Sequence, residues 1–236
     1  MAPSLYEAME LPHPPISPRI LLVIEEAIRI AWELLREHPR PGFDLSSVTE
    51  DPLTHELYEV LCDVVFKHAL VKGFNRRLLR AVAREPKVRS YNRASLDKMP
   101  DLAIALMGRE AVAIPTQDGL FIECKPVDTE HSVGKYYCGK GLVRFVNGDY
   151  AWAMREAMMV GYAREGYTIS PKLVRALGER ADTVPTVSYP RPCPHSKATP
   201  VSEPVQISMH RRTFAYVETS RQAPPITIRH LWLKRG

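Results

Sequence analysis

The chain has 236 residues, 45% hydrophobic and 25% charged, with a formal net charge of +5. That is the ordinary balance of a soluble globular protein, and no apolar run approaches the roughly 18 residues a membrane-spanning helix needs. The opening Met1-Ala2-Pro3-Ser4-Leu5-Tyr6-Glu7 lacks the regions of a signal peptide, so a cytoplasmic protein is expected. Its positive balance suits a polyanionic partner. Cys62, Cys124, Cys138 and Cys193 show no CxxC spacing and are expected as reduced thiols.

The first segment, through Ser17-Pro18, is proline-rich and reads as a loose arm. Over residues 19–37, Leu21, Ile24, Ile28, Ala31 and Leu35 recur at helical spacing, and His38-Pro39-Arg40-Pro41-Gly42 stops the helix. Asp51-Pro52 has the form of an N-cap followed by proline, predicting a second helix through Leu57, Val60, Leu61 and Val64 to a cap at Gly73. A third, basic helix is predicted from Asn75, with Arg76, Arg77, Arg80 and Arg84 outward and Leu78, Leu79 and Val82 inward. Residues 102–107 and 111–114 are apolar runs of strand length, and Asp118-Gly119, a hairpin signal, leads into a third run over 120–125. A glycine-punctuated loop then covers 131–141, and Asp149 caps a helix predicted over 150–165. A short helix follows over 171–177. Residues 182–204 are rich in proline without periodicity, and two strands, 205–217 and 226–233, end the chain.

Asp101 opens the first of the three runs, and Glu123-Cys124-Lys125 closes the last. Side chains alternate along an extended strand, so Glu123 and Lys125 share a face with Phe121, while Leu120, Ile122 and Cys124 face a core. A carboxylate and a lysine are the polar residues of an otherwise apolar strand, which packing alone does not explain. Two carboxylates can hold a hard divalent cation through oxygen ligands. A nearby lysine can orient the attacking water while the metal acts as Lewis acid. Pro126, directly after Lys125, predicts that ladder pairing ends there.

The order Pro100-Asp101, gap, Glu123-Cys124-Lys125 resembles the signature of the PD-(D/E)XK nuclease superfamily. The resemblance implies an α/β fold, with a mixed central sheet flanked by helices in a restriction-endonuclease-like core. That core would cover residues 51–181, preceded by an N-terminal arm and helix over 1–50. A proline-rich loop and C-terminal hairpin over 182–236 would pack on it, giving one compact domain. The implied activity is Mg²⁺-dependent hydrolysis of phosphodiester bonds, Mn²⁺ being able to substitute, in DNA rather than RNA. Asp101 and Glu123 would bind the metal with the main-chain carbonyl of Cys124, and Lys125 would position and activate the water. Members of the superfamily add a glutamate from the helix before the first strand; Glu56 is the choice here, with Glu59 next. Restriction or anti-phage defence is the suggested role, with a homodimer or a partner protein of a defence system as the assembly. The alternative is a catalytically inactive nucleic-acid-binding accessory protein with the same fold. A third reading is a protein-binding scaffold acting through the terminal hairpin.

Lys135, Lys140 and Arg144, interleaved with Tyr136, Tyr137 and Phe145, mix cations and rings as nucleic-acid grooves do. In the same stretch His131 could donate a proton to a leaving oxygen. His210 and Arg212 share a strand face and could extend the groove.

Overall fold

The computed structural model describes residues 10–164 and 166–235, so the first nine residues of the arm, Glu165 and Gly236 lie outside the described residues. The apolar run ending in Glu123-Cys124-Lys125 is buried at every position and becomes β3 (Gly119–Val127). Burial on both faces marks a strand inside a sheet covered by helices on each side. The other strands are β1 (Leu79–Arg84), β2 (Leu102–Leu106), β4 (Glu156–Ala163), β5 (Thr186–Pro192), β6 (Gln206–His210) and β7 (Ile226–Lys234). Together they form one seven-stranded mixed sheet in the order β1-β2-β3-β4-β7-β6-β5. β3, β4 and β7 run parallel at its centre, and the outer strands pair antiparallel.

Four helices flank the sheet, giving an α/β fold: α1 (Pro18–Glu37), α2 (Glu50–Glu59), α3 (Val143–Val146) and α4 (Ile169–Glu179). α2 continues into a π-helical segment, Val60–Phe66, and another, Val133–Leu142, leads into α3. On one face Trp32 of α1 stacks on Tyr162 of β4 at 5.4 Å, and Thr54 of α2 meets the Tyr162 hydroxyl at 3.0 Å. On the opposite face Tyr137 of the second π-helical segment packs edge-on against Trp232 of β7. Among the described residues no helix is long and apolar enough to cross a membrane, and the four cysteines are free thiols.

Several elements differ from the sequence expectations. From Leu11 the arm is anchored rather than loose: the His13 amide donates to Ala153 and the Ile16 amide to Glu156. The basic helix expected from Asn75 is a single turn, in which the Asn75 carbonyl accepts from Leu78 and Leu79, followed by β1. Pairing of Val82 with Ile104 and of Arg84 with Leu102 overrides the local pattern. Residues 111–114 form a turn rather than a strand, with Ala111 at positive φ, so β1, β2 and the motif strand β3 are the three antiparallel strands. Asp118-Gly119 is not a hairpin turn. Asp118 is buried against Arg109, and Gly119 lies so close to β2 that a Cβ would stand 2.7 Å from the Ile104 carbonyl. The helix expected from Tyr150 is β4, the glycine-punctuated loop is helical, and the proline-rich stretch holds β5. Pro126 does not end the ladder; it pairs with Tyr162, and β3 runs on to Val127.

His210 and Arg212 are buried, not part of a surface groove. Arg212 donates to the carbonyls of Trp152, Ala151 and Met154. His210 belongs to a chain of hydrogen bonds across the sheet. Tyr137 meets His230 Nδ1 at 3.0 Å, Ser208 Oγ bridges His230 Nε2 and His210 Nε2 at 2.7 Å each, and His210 Nδ1 meets Thr186 at 3.3 Å. Burial lowers the His210 pKa to about 4 and that of His230 well below its ordinary value. Such a base contributes stability that is full above the unfolded value of about 6.5 and is lost as pH falls below it, because only the unfolded chain takes up the proton. His210→Gln should therefore cost stability at pH 7.5. That cost should shrink by about 2 kcal/mol at pH 5, read by urea unfolding of both proteins; a pH-independent difference would contradict the neutral burial.

Candidate active site

Asp101 sits immediately before β2, and its Oδ2 accepts the Cys124 amide of β3 at 2.6 Å. This bond pins the start of β2 against the middle of β3. Two residues apart on β3, Glu123 and Lys125 project to the same side, with Nζ 3.0 Å from Glu123 Oε1. Lys125 Nζ also donates to the Cys124 carbonyl at 2.6 Å and to Glu50 Oε1 at 2.5 Å, and stands 3.5 Å from Asp101 Oδ2. One ammonium thus lies within 3.5 Å of carboxylates from the helix, from the start of one strand and from the middle of another.

Two further groups complete the cluster. Arg144 of α3 stands 3.0 Å from Glu123 Oε1, and the Tyr150 hydroxyl donates to Glu123 Oε2. The helical layer comes close because of Gly141, where a Cβ would fall 2.6 Å from Met159 Cε, 3.2 Å from Lys125 Cγ and 3.4 Å from Glu123 Cγ. Glu123 is fully buried at the floor, whereas the Asp101, Glu50 and Arg144 side chains keep 20%, 30% and 40% of their exposure at the rim.

The electrostatics follow from this crowding. Burial, then the Asp101 charge, pushes the Glu123 pKa up to about 7, against the opposing pull of Lys125, Arg144 and Tyr150. Burial also raises Glu50, again opposed by Lys125. For Lys125 burial works against the charge, but Glu123, Asp101 and Glu50 outweigh it, and its pKa is raised. Glu123 rises because burial outweighs its cationic neighbours, and Lys125 because three carboxylates outweigh its burial. Three acids acting in concert hold Lys125 charged.

Asp101, Glu123, Lys125 and the Cys124 carbonyl, all expected at the site, come together in the structure. Glu56, expected beside them, does not join the cluster. Glu56 pairs with Arg40 at 3.2 Å, and Glu59 with Arg40 and His55, away from the cluster. Glu50 takes the position instead, because Thr49 rather than Asp51 is the N-cap and Glu50 is the first helical residue. An acid one position before an apparent cap was the available signal. Arg144, expected on a phosphate, lies against Glu123. Lys135 and Lys140 are exposed on the outer side of their segment, with Tyr136 between them at 5.2 and 4.4 Å from its ring centre. Tyr150, which the sequence pattern places at the start of a helix, carries no signal of this contact.

Oxygen donors for a divalent cation are present in Asp101, Glu123, Glu50 and the Cys124 carbonyl. With all three acids ionised, the cluster carries one negative charge more than Lys125 and Arg144 balance. Glu123 Oε1 is buried and, although 3.0 Å from both cationic nitrogens, makes no hydrogen bond of good geometry. That orphaned oxygen and the acidic excess fit a cation. As the side chains stand, though, the Lys125 ammonium fills the space between them. Among the described residues no group of three or more His, Cys, Asp or Glu side chains is arranged to hold a metal ion. Beside Glu50 a cleft of about 620 Å³ opens past Pro126 toward Asp128 and His131.

Compared with family models, curated proteins and solved structures, the chain finds no match in any of the three.

Removing one partner of a buried ionic cluster leaves the others uncompensated, at a cost of about 3–5 kcal/mol. Lys125→Met should lose stability of that order in urea unfolding without divalent cation, while Glu56→Gln, whose partner Arg40 is exposed, should lose less than about 1 kcal/mol. Equal losses would mean that Lys125 does not hold the cluster.

Proposed function

We propose that this protein is a Mg²⁺-dependent nuclease of the PD-(D/E)XK type, hydrolysing phosphodiester bonds in DNA. The observation that carries the reading is the convergence of Glu50, Asp101, Glu123 and Lys125 on one point, with the Lys125 ammonium within 3.5 Å of all three carboxylates. Element order supports it: a helix, three antiparallel strands, a helical segment, then β4 parallel to β3. That is the succession the motif's resemblance implies.

Asp101, Glu123 and the Cys124 carbonyl would hold the cation, with Glu50 at its rim. When bound, the cation supplies Lewis-acid polarisation of the phosphate and a more acidic water. Metal binding at this position requires the Lys125 side chain to leave the centre of the cluster, which its flexible stem permits. Still charged, the displaced ammonium orients the attacking water and faces the phosphate. Arg144, its guanidinium always protonated, adds positive charge at the rim. Tyr150 keeps the Glu123 carboxylate in place through its hydroxyl. Lys135 and Lys140, exposed with Tyr136 between them, offer phosphate contacts that position the duplex without reading its sequence.

The test is cleavage of supercoiled and linear DNA with Mg²⁺ or Mn²⁺, against an EDTA control. Asp101→Ala, Glu123→Ala and Lys125→Ala should each lose at least about 100-fold in rate, and Glu50→Gln should lose more than Glu56→Gln. Binding of DNA without cutting by the wild-type protein would favour the inactive accessory reading instead.

Neutralising Lys135 and Lys140 should weaken DNA binding equally across sequences. It should also flatten the dependence of log affinity on log salt by about 0.9 for each duplex phosphate that the two lysines no longer neutralise, measured by fluorescence anisotropy. An unchanged slope would move the DNA to another face.

A further inference from the structure

The cluster around Lys125 contains no proton donor directed at a leaving group. On the nuclease reading the displaced Lys125 ammonium is engaged with the attacking water, the Tyr150 hydroxyl is given to Glu123, and a guanidinium does not release its proton. Breaking a phosphodiester expels an alkoxide, and protonating it in the transition state is worth about 10²- to 10⁴-fold.

The cleft that begins at Glu50 ends at a histidine held in a defined orientation. His131 Nδ1 lies 2.9 and 3.1 Å from the two Asp128 oxygens. Asp128 is itself fixed, because its Oδ1 accepts the amides of Glu130 and His131 at 2.9 and 2.7 Å. Burial works to raise the Asp128 pKa, but these donors and the ring outweigh it, so the carboxyl is held low and ionised. The imidazole edge also packs against Tyr136 at 4.9 Å. An ionised carboxylate on Nδ1 makes that nitrogen a donor and leaves Nε2 as the exchangeable position. The ring is half-exposed. Glu50, Glu130, Arg164 and Arg235 line the same cleft, and Arg235 is committed to the Leu45 and Val48 carbonyls.

We infer that His131, oriented by Asp128, is the proton donor to the leaving oxygen of the phosphodiester that lies in this cleft. The inference rests on the nuclease reading. In the step, the water oxygen forms a bond to phosphorus as the bond from phosphorus to the leaving oxygen breaks. The electron pair of that bond stays on the leaving oxygen, which takes the proton from Nε2. The imidazolium becomes neutral imidazole, Asp128 remains a carboxylate, and the attacking water's proton passes to solvent, from which the ring is recharged.

The experiment compares wild type, His131→Gln and Asp128→Asn as Mg²⁺-loaded full chains on plasmid DNA, measuring kcat and KM from pH 6 to 9. Asp128→Asn keeps an oxygen to accept the turn's amides and removes only the charge behind the ring, so it tests the idea even if His131→Gln folds poorly. Expected for His131→Gln is a kcat lower by about 10²- to 10⁴-fold with KM within about threefold. Asp128→Asn should lower kcat in the same direction by a smaller factor, again with KM within about threefold. His131→Gln cutting within about threefold of wild type, or Asp128→Asn keeping the wild-type kcat, would overturn the role of the dyad while leaving the nuclease reading intact. A wild-type protein that cuts no DNA with Mg²⁺ or Mn²⁺ would overturn the nuclease reading itself, and the donor with it.

Discussion

Three carboxylates crowd one point of this structure, and Lys125 is the cation within reach of all three. Its four contacts reach the first residue of α2, the entry to β2 and two consecutive residues of β3. The same set of bonds therefore joins a helix to two strands and gathers the groups for chemistry. Asp101 adds to this by taking the Cys124 amide, so the acid is fixed by the strand it faces rather than by its own loop. Gly141 lets the helical layer descend onto the stems of Glu123 and Lys125. A site built this way is costly to alter piecemeal.

The legible part of the site was the part governed by strand periodicity. Glu123 and Lys125 had to share a face if the run was extended; Asp101 reaches them because residues 111–114 drop out of the sheet and the strand it opens becomes the neighbour. The supporting glutamate was governed by helix phase, which depends on the starting residue. Placing the start at Asp51 left Glu50 outside the helix and favoured Glu56. Six residues further on is about 600° of helical rotation, so Glu56 looks away from Glu50, toward Arg40.

Among the elements, α1 and β7 followed their patterns, the strand expected over 205–217 is confined to Gln206–His210, and the other errors had a common origin. A strand buried on both faces has no alternation to betray it. β4, with its alanines and methionines, thus resembled an apolar helix. β1 was misread for a related reason: its arginines and leucines fit a helical wheel, and only the partner strand β2 decides otherwise. The π-helical winding of Val133–Leu142 has no signature in residue type. It carries Tyr137 to His230 and Gly141 to Lys125, contacts that come from tertiary packing.

The hydrogen-bond chain through His210 and His230 is also a matter of proton counting. Ser208 has a single hydroxyl proton and stands between two Nε2 atoms, so it donates to one ring and accepts from the other. The two neutral imidazoles must then be opposite tautomers. Two arrangements satisfy both rings and the serine, each leaving one carbonyl, that of Met159 or of Val184, without its hydroxyl donor. In one, His230 donates to Tyr137 and the Tyr137 hydroxyl turns to the Met159 carbonyl; in the other, Tyr137 donates to His230, and His210 donates to Thr186. Changing one ring alone would leave two protons, or none, on a single contact. The rings, the serine and the tyrosine must therefore reverse as a unit, and the line of dipoles they form points one way across the sheet at any moment.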